Sequence, residues 1–264
     1  MNLALDHLVH FIKADPSEAA ARWRNEGYKA VLGGSHENWG TYNSLLYIGQ
    51  SYLAFLSIEK NHIAADAENP LINQLTDELP LGDGLGQLCF RTSNIEDLRI
   101  ELKKKGFETL PIFKGSRKRQ DGSMLSWKML FFKENPDYKY PFFIDWGVED
   151  DRRFEELRHL GFIDENLENK KIEAVFIASH DCEKSAESWK AIMLNSMGDV
   201  YISNDGKEKR ASIEIGTANI TFCQPLQDEG KAIEVLKKRG EKPFAAQFSP
   251  GLEKEINLFE TVYF

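Results

Sequence analysis

Apolar positions alternate with a period of two through residues 3–12, then recur every three to four residues through 16–26. Alternation returns in three further stretches, 29–32, 42–48 and 52–58. A period of two marks a strand and a period near 3.6 an amphipathic helix, so the predicted order is βαβββ. Asp15-Pro16-Ser17-Glu18 gives the helix its start, with proline in the first turn and an acid at the positive end of the dipole.

The order then repeats. Residues 85–92 read as a strand, Asn94-Ile95-Glu96-Asp97 as a capped helix start, and 110–113, 125–133 and 140–146 as three more strands. Both helices leave alike, through Glu26-Gly27-Tyr28 and Lys105-Gly106-Phe107, as a left-handed glycine cap followed by an apolar contact requires. A third copy begins near Lys171. Its end, Ile215-Gly216-Thr217-Ala218-Asn219-Ile220-Thr221-Phe222, lines up with Ile48-Gly49-Gln50-Ser51-Tyr52-Leu53-Ala54-Phe55. A shortened fourth copy uses 244–248 and 258–264. A helix at 231–239 precedes it, as one at 71–79 precedes the second copy. The acidic stretch 149–170 separates the pairs. The expectation is an α+β chain of two tandem domains, 1–150 and 168–264, joined by a linker helix within 151–167.

Charge and cysteines narrow the classes. Thirty-three Lys and Arg against 42 Asp and Glu leave a net charge of −9, which argues against a broad nucleic-acid surface. No apolar run approaches the ~18 residues of a membrane span, and the first residues carry no basic stretch of a signal peptide. Cys89, Cys182 and Cys223 are odd in number and far apart, so neither a disulfide framework nor a cysteine zinc site is expected. The expected setting is cytoplasmic, with neither nucleic acid nor membrane as partner.

Several strings carry chemistry. They are Leu5-Asp6-His7-Leu8-Val9, the run Gly33-Gly34-Ser35-His36-Glu37-Asn38-Trp39-Gly40-Thr41-Tyr42-Asn43, and Tyr52-Leu53-Ala54. Arg117 to Gly122 with Trp127, and Pro141-Phe142-Phe143-Ile144-Asp145-Trp146, complete the set. Together with the paired βαβββ units, these strings resemble the vicinal oxygen chelate superfamily, in its glyoxalase-like branch. The resemblance covers the first domain closely and the second as a repeat.

The resemblance implies units curled into half-open mixed-sheet barrels around a divalent metal such as Mn, Fe, Zn or Ni. First and fourth strands of each unit would supply the ligands. It points to His7, Gln87 and Asp145 as ligands, with Glu59 as a further candidate, because Ala54 stands where relatives usually carry glutamate. His7, Asp145 and His36 are the expected catalytic groups. Imidazole moves protons near neutral pH, and a carboxylate in an aromatic strand needs a partner.

Trp39, Asn43, Arg117, Arg119 and Trp127 are the expected substrate contacts. Two arginines before Asp121-Gly122 can clamp an anion bidentately at a hairpin tip. The function expected is action on a small, anionic metabolite by metal-assisted lyase or isomerase chemistry. The alternative is non-catalytic sequestration, as in the resistance members of the superfamily; an extradiol dioxygenase fits the ligands less well. The second half, with Ala174 and Thr221 at the His7 and Ala54 positions, reads as a degenerate copy. A homodimer is left open.

Overall fold

A proline and two glycine-capped helices account for much of how the first half is laid out. The computed structural model describes residues 3–118, 124–133, 140–193 and 199–264. The first unit comprises β1 (Ala4–Phe11), α1 (Pro16–Asn25), β2 (Val31–His36), β3 (Thr41–Ile48) and β4 (Ser51–Ile58). After α2 (Asn61–Ala65) and α3 (Pro70–Glu78) comes the second, β5 (Gly84–Arg91), α4 (Ile95–Lys104), β6 (Phe113–Lys118), β7 (Met124–Leu130) and β8 (Phe142–Asp145). Asp15 and Asn94 cap α1 and α4 by accepting from Ser17 N and Asp97 N. Gly27 and Gly106 end the helices with φ of +88°, a conformation that only glycine adopts readily.

The eight strands of these units form one sheet in the order β2-β3-β4-β1-β5-β8-β7-β6. β1 and β5 run antiparallel at its centre, each flanked by the parallel fourth strand of its own unit. The sheet curls until its edges meet, where the Arg117 guanidinium on β6 donates to the Gly33 carbonyl on β2. The strand expected at 110–113 begins later. Pro111 has no N–H to give the ladder, so pairing there is limited to Leu110 N on Phe131 O and a bridge between Thr109 and Phe132.

The second half holds α5 (Asp150–His159), α6 (Glu165–Glu168), β9 (Lys171–Ala178), α7 (Cys182–Ile192), β10 (Tyr201–Asn204), β11 (Glu208–Ile215) and β12 (Ala218–Pro225). Then follow α8 (Lys231–Arg239), β13 (Pro243–Ser249), β14 (Ile256–Leu258) and β15 (Thr261–Tyr263). Its seven-stranded sheet runs β10-β11-β12-β9-β13-β15-β14. β9 and β13 take the central places that β1 and β5 hold in the first sheet.

The largest apolar core belongs to both halves. Leu8, Phe55 and Phe90 of the first sheet join Val175, Phe222 and Tyr263 of the second. Helices α1 and α7 lie between the sheets: Trp23 meets Tyr263 edge-on at 5.3 Å, and Trp189 sits between Phe90 and Phe222. The helices thus fill the backs of both sheets and leave the inner face of the first free to enclose a cavity.

Candidate functional site

The cavity inside the first sheet measures about 580 Å³. Its walls are mainly apolar, with Trp39, Trp127, Trp146, Tyr47, Tyr52 and Phe142 among aliphatic side chains, and its polar groups are His7, His36, Asn43, Arg117, Arg153 and Glu156. Volume and character suit a small ligand with an apolar body and few directional contacts.

A bulge in β1 builds the polar end. Leu5 pairs with Phe90 and His7 with Cys89, leaving Asp6 as the extra residue. Consecutive residues normally face opposite sides of a sheet, and a bulge re-aims one of them. Asp6 and His7 therefore meet, with His7 Nδ1 at 2.7 Å from Asp6 Oδ1. The carboxylate only accepts, so Nδ1 carries the proton. In the neutral ring Nε2 is then an acceptor, and it has no hydrogen-bond partner among the described residues. The imidazole stacks on Tyr52 at 4.5 Å and meets the edge of Phe142.

The other oxygen of Asp6 accepts from Trp146 Nε1 at 3.0 Å and from Arg153 Nη1 at 3.1 Å. Asp6 is wholly buried. Burial by itself would raise its pKa; the Arg153 charge and the His7 hydrogen bond outweigh it and hold the carboxyl well below the usual carboxylate range. His36 stands half-buried in the wall, bonded through Nδ1 to Thr41 Oγ1 at 3.0 Å. Burial, with Arg117 nearby, pushes it down to about 4, so it is neutral at pH 7.

Six residues singled out from the sequence line this one cavity: His7, His36, Trp39, Asn43, Arg117 and Trp127. Others are elsewhere. Asp145 faces the opposite side of β8, where its carboxylate accepts from Ile95 N at the start of α4 and from Gly147 N. Gln87 donates to Gln74 Oε1 on α3 and accepts from Leu88 N. Glu59 is an exposed acceptor for Ser35. His7, Gln87 and Asp145 therefore do not converge, and the expected ligand trio is corrected on that geometry. Across from His7 stands Cys89; on β8 the cavity face carries Phe142 and Ile144. Arg119 lies outside the described residues.

The largest surprise is α5, which the sequence cast as a linker. It closes one side of the cavity with Arg153, Glu156 and Leu157, continued by Leu160 and Phe162. Arg91 fixes its start, donating through Nε to Asp150 Oδ2 at 2.6 Å and through Nη1 to the carbonyls of Leu5 and Gln50. Leu157, Phe162 and Ile163 pack on Leu45, Tyr47, Tyr52 and Ala54. Ala54 thus has a job of its own: a small residue that admits this apolar seal.

Among the described residues, metal-ligating side chains come together once, at Asp6, His7 and Cys89, with ligand atoms within 4.8 Å of one another. Their chemistry does not suit a divalent ion. A metal needs the thiolate, whereas burial, with the Asp6 charge beside it, pushes the Cys89 thiol far up. Both Asp6 oxygens already carry donors, and His7 spends Nδ1 on Asp6. The fourth-strand positions offer only Ala54 and Ile144.

The glyoxalase-like domain family matches residues 5–193. A hypothetical protein from Staphylococcus aureus superposes with a TM-score of 0.76 at 20% identity, over 99% of this chain and 98% of that one. A 4-hydroxymandelate synthase variant from Streptomyces coelicolor does so with 0.59 at 11% identity, over 94% and 71%. At these identities the likeness is one of fold. No curated protein matches significantly. No helix of the described residues is long and apolar enough to cross a membrane.

Proposed function

The chain belongs to the glyoxalase-like domain family and has the vicinal oxygen chelate fold; on that premise we propose that its cavity takes a small carbonyl compound and moves a proton on it through His7, without a metal. The observation that carries this reading is the His7–Asp6 pair, with Nδ1–H held by the carboxylate and Nε2 left as acceptor on the cavity wall.

In such a site His7 Nε2 takes a proton from a carbon next to the carbonyl. The C–H bond pair moves into the carbon skeleton and the charge onto the carbonyl oxygen. Asp6 stabilises the imidazolium, as a carboxylate behind a general base does. The imidazolium then returns a proton to that carbon as the carbonyl re-forms, which is exchange, or to the far carbon of a conjugated dienolate, which shifts a double bond and makes the reaction an isomerisation. Trp39, Trp127 and Phe142 exclude water, strengthening each charge interaction inside.

The test follows exchange of carbon-bound protons. After dialysis against chelator, a set of aryl-substituted 2-oxo acids is incubated with the protein in deuterated buffer and read by proton NMR. At least one should lose the signal of its C3 protons, those next to the ketone, faster than in buffer alone, and His7→Gln should abolish the acceleration. Acceleration that appears only with added metal, or survives in His7→Gln, refutes the proposal. The apolar seal over Ala54 favours a second reading, binding without turnover; compounds that quench tryptophan fluorescence yet never exchange would establish it.

A further inference from the structure

The arginine delivered by α5 is only partly used. Arg153 is buried, with 8% of its side chain exposed. Its guanidinium carbon lies 4.1 Å above the Trp146 ring and 5.1 Å from Phe154. One donor, on Nη1, goes to Asp6. Nε–H and the Nη2 hydrogens have no hydrogen-bond partner among the described residues, although the side chain lines the cavity. Those donors are therefore open to the cavity, where a polar group of a ligand can take them. Arg117 differs: it is committed to the Gly33 carbonyl across the sheet edges.

We propose that Arg153 is the anion subsite of the cavity and that its ligand is a carboxylate on an aromatic or similarly flat apolar body. The remaining guanidinium edge matches the two oxygens of a carboxylate, and bidentate pairing is the strongest such contact. Trp146, 4.1 Å from the guanidinium carbon and itself on the cavity wall, sets an apolar surface beside the bound carboxylate for its attached ring. Asp6 joins the subsite to His7, because the same carboxylate holds both. Asp6 also tempers the Arg153 charge, so an anion binds here against a neighbouring negative group. This proposal rests on reading the cavity as a small-molecule site.

Benzoate and its uncharged counterpart benzamide separate the two claims, with quenching of tryptophan fluorescence as the readout at neutral pH. The wild type should bind benzoate at least about tenfold more tightly than benzamide, the scale of a charge-assisted pair. Arg153→Met should bring the two within about twofold of each other. Arg153→Lys keeps the charge opposite Asp6 but loses the fork, and should retain only a fraction of the preference; it decides the matter if Arg153→Met does not fold. Asp6→Asn frees the guanidinium and should tighten benzoate several-fold, which a purely structural Arg153 would not do. A preference that persists in both Arg153 variants, or disappears in Arg117→Met instead, overturns the Arg153 assignment and leaves the cavity reading intact. Binding of neither probe by the wild type overturns both.

Discussion

His10 offers a quantitative test of how the two halves are joined. It follows the second irregularity of β1 and is turned away from the cavity, wholly buried between the sheets. Nε2 donates to the Phe259 carbonyl at 2.9 Å and Nδ1 accepts from the Tyr263 hydroxyl at 2.6 Å. Phe55 and the Phe259 ring enclose it. Burial, with the Arg239 charge adding to it, takes its pKa from the usual 6.5 down to about 3. As pH falls below 6.5, the unfolded chain takes up a proton that the folded chain refuses. Stability from this group is therefore full above 6.5 and lost progressively as pH falls towards 3. At about pH 5 the loss amounts to about 2 kcal/mol. Urea unfolding at about pH 7.5 and about pH 5 measures it, in the wild type and in His10→Gln. The variant lowers stability at both pH values, but its loss between them should be about 2 kcal/mol smaller, since groups common to both proteins cancel. Equal losses would refute a neutral, interface-locked His10.

Three further outcomes follow from the geometry. Gly33→Ala would set a Cβ 1.9 Å from Asn43 Oδ1 and 3.0 Å from Arg117 Nη1. The overpacking should cost about 1–3 kcal/mol by chemical denaturation and weaken benzoate quenching; an unchanged midpoint refutes the close approach. Lys242→Met takes the closer of two buried cations from the Glu78 carboxylate, leaving Arg239 Nη2 at 3.6 Å, and should cost about 1.5–3 kcal/mol, the worth of a hydrogen bond to a charged group. The exposed pair Lys238–Glu260 should lose at most about 1 kcal/mol in Lys238→Met, so equal costs for the two variants refute the distinction. Zinc or manganese added to chelator-treated protein should leave the melting temperature unmoved, because binding to the folded state alone would raise it.

Periodicity carried the architecture because each unit obeys simple rules along its length. Helix 231–239 was readable to the residue, and the Gly49 and Gly216 turns sit at equivalent hairpins. The cavity walls at His36, Trp39, Asn43 and Trp127 were legible as one long string plus its neighbour. What alternation does not report is a bulge. Counting by twos puts Leu5, His7 and Val9 on one face, yet Leu5 joins the inter-sheet core and Asp6 reaches the cavity side. The resemblance gave Asp145 to the cavity, whereas on β8 Phe142 and Ile144 face inward. Arg153 was invisible for a different reason. It sits in a charged stretch whose composition reads as solvated, and only the docking of α5 through Arg91 gives it a role. The nearest local signal was Phe154 beside it, a large apolar residue amid charges.

The turns at Gly49 and Gly216 have one more implication. A Cβ on Gly49 would strike the Lys170 carbonyl, just ahead of β9, and one on Gly216 the Leu3 carbonyl, just ahead of β1. Each half therefore rests the tip of its hairpin on the root of the other half's first strand. That reciprocity is the signature of a two-fold axis, here approximate and internal to one chain. The second half thus braces both the hairpin and the first strand of the half that holds the cavity. Changes along the hairpin tips should accordingly be tolerated or resisted in matched pairs, one on each side of the axis.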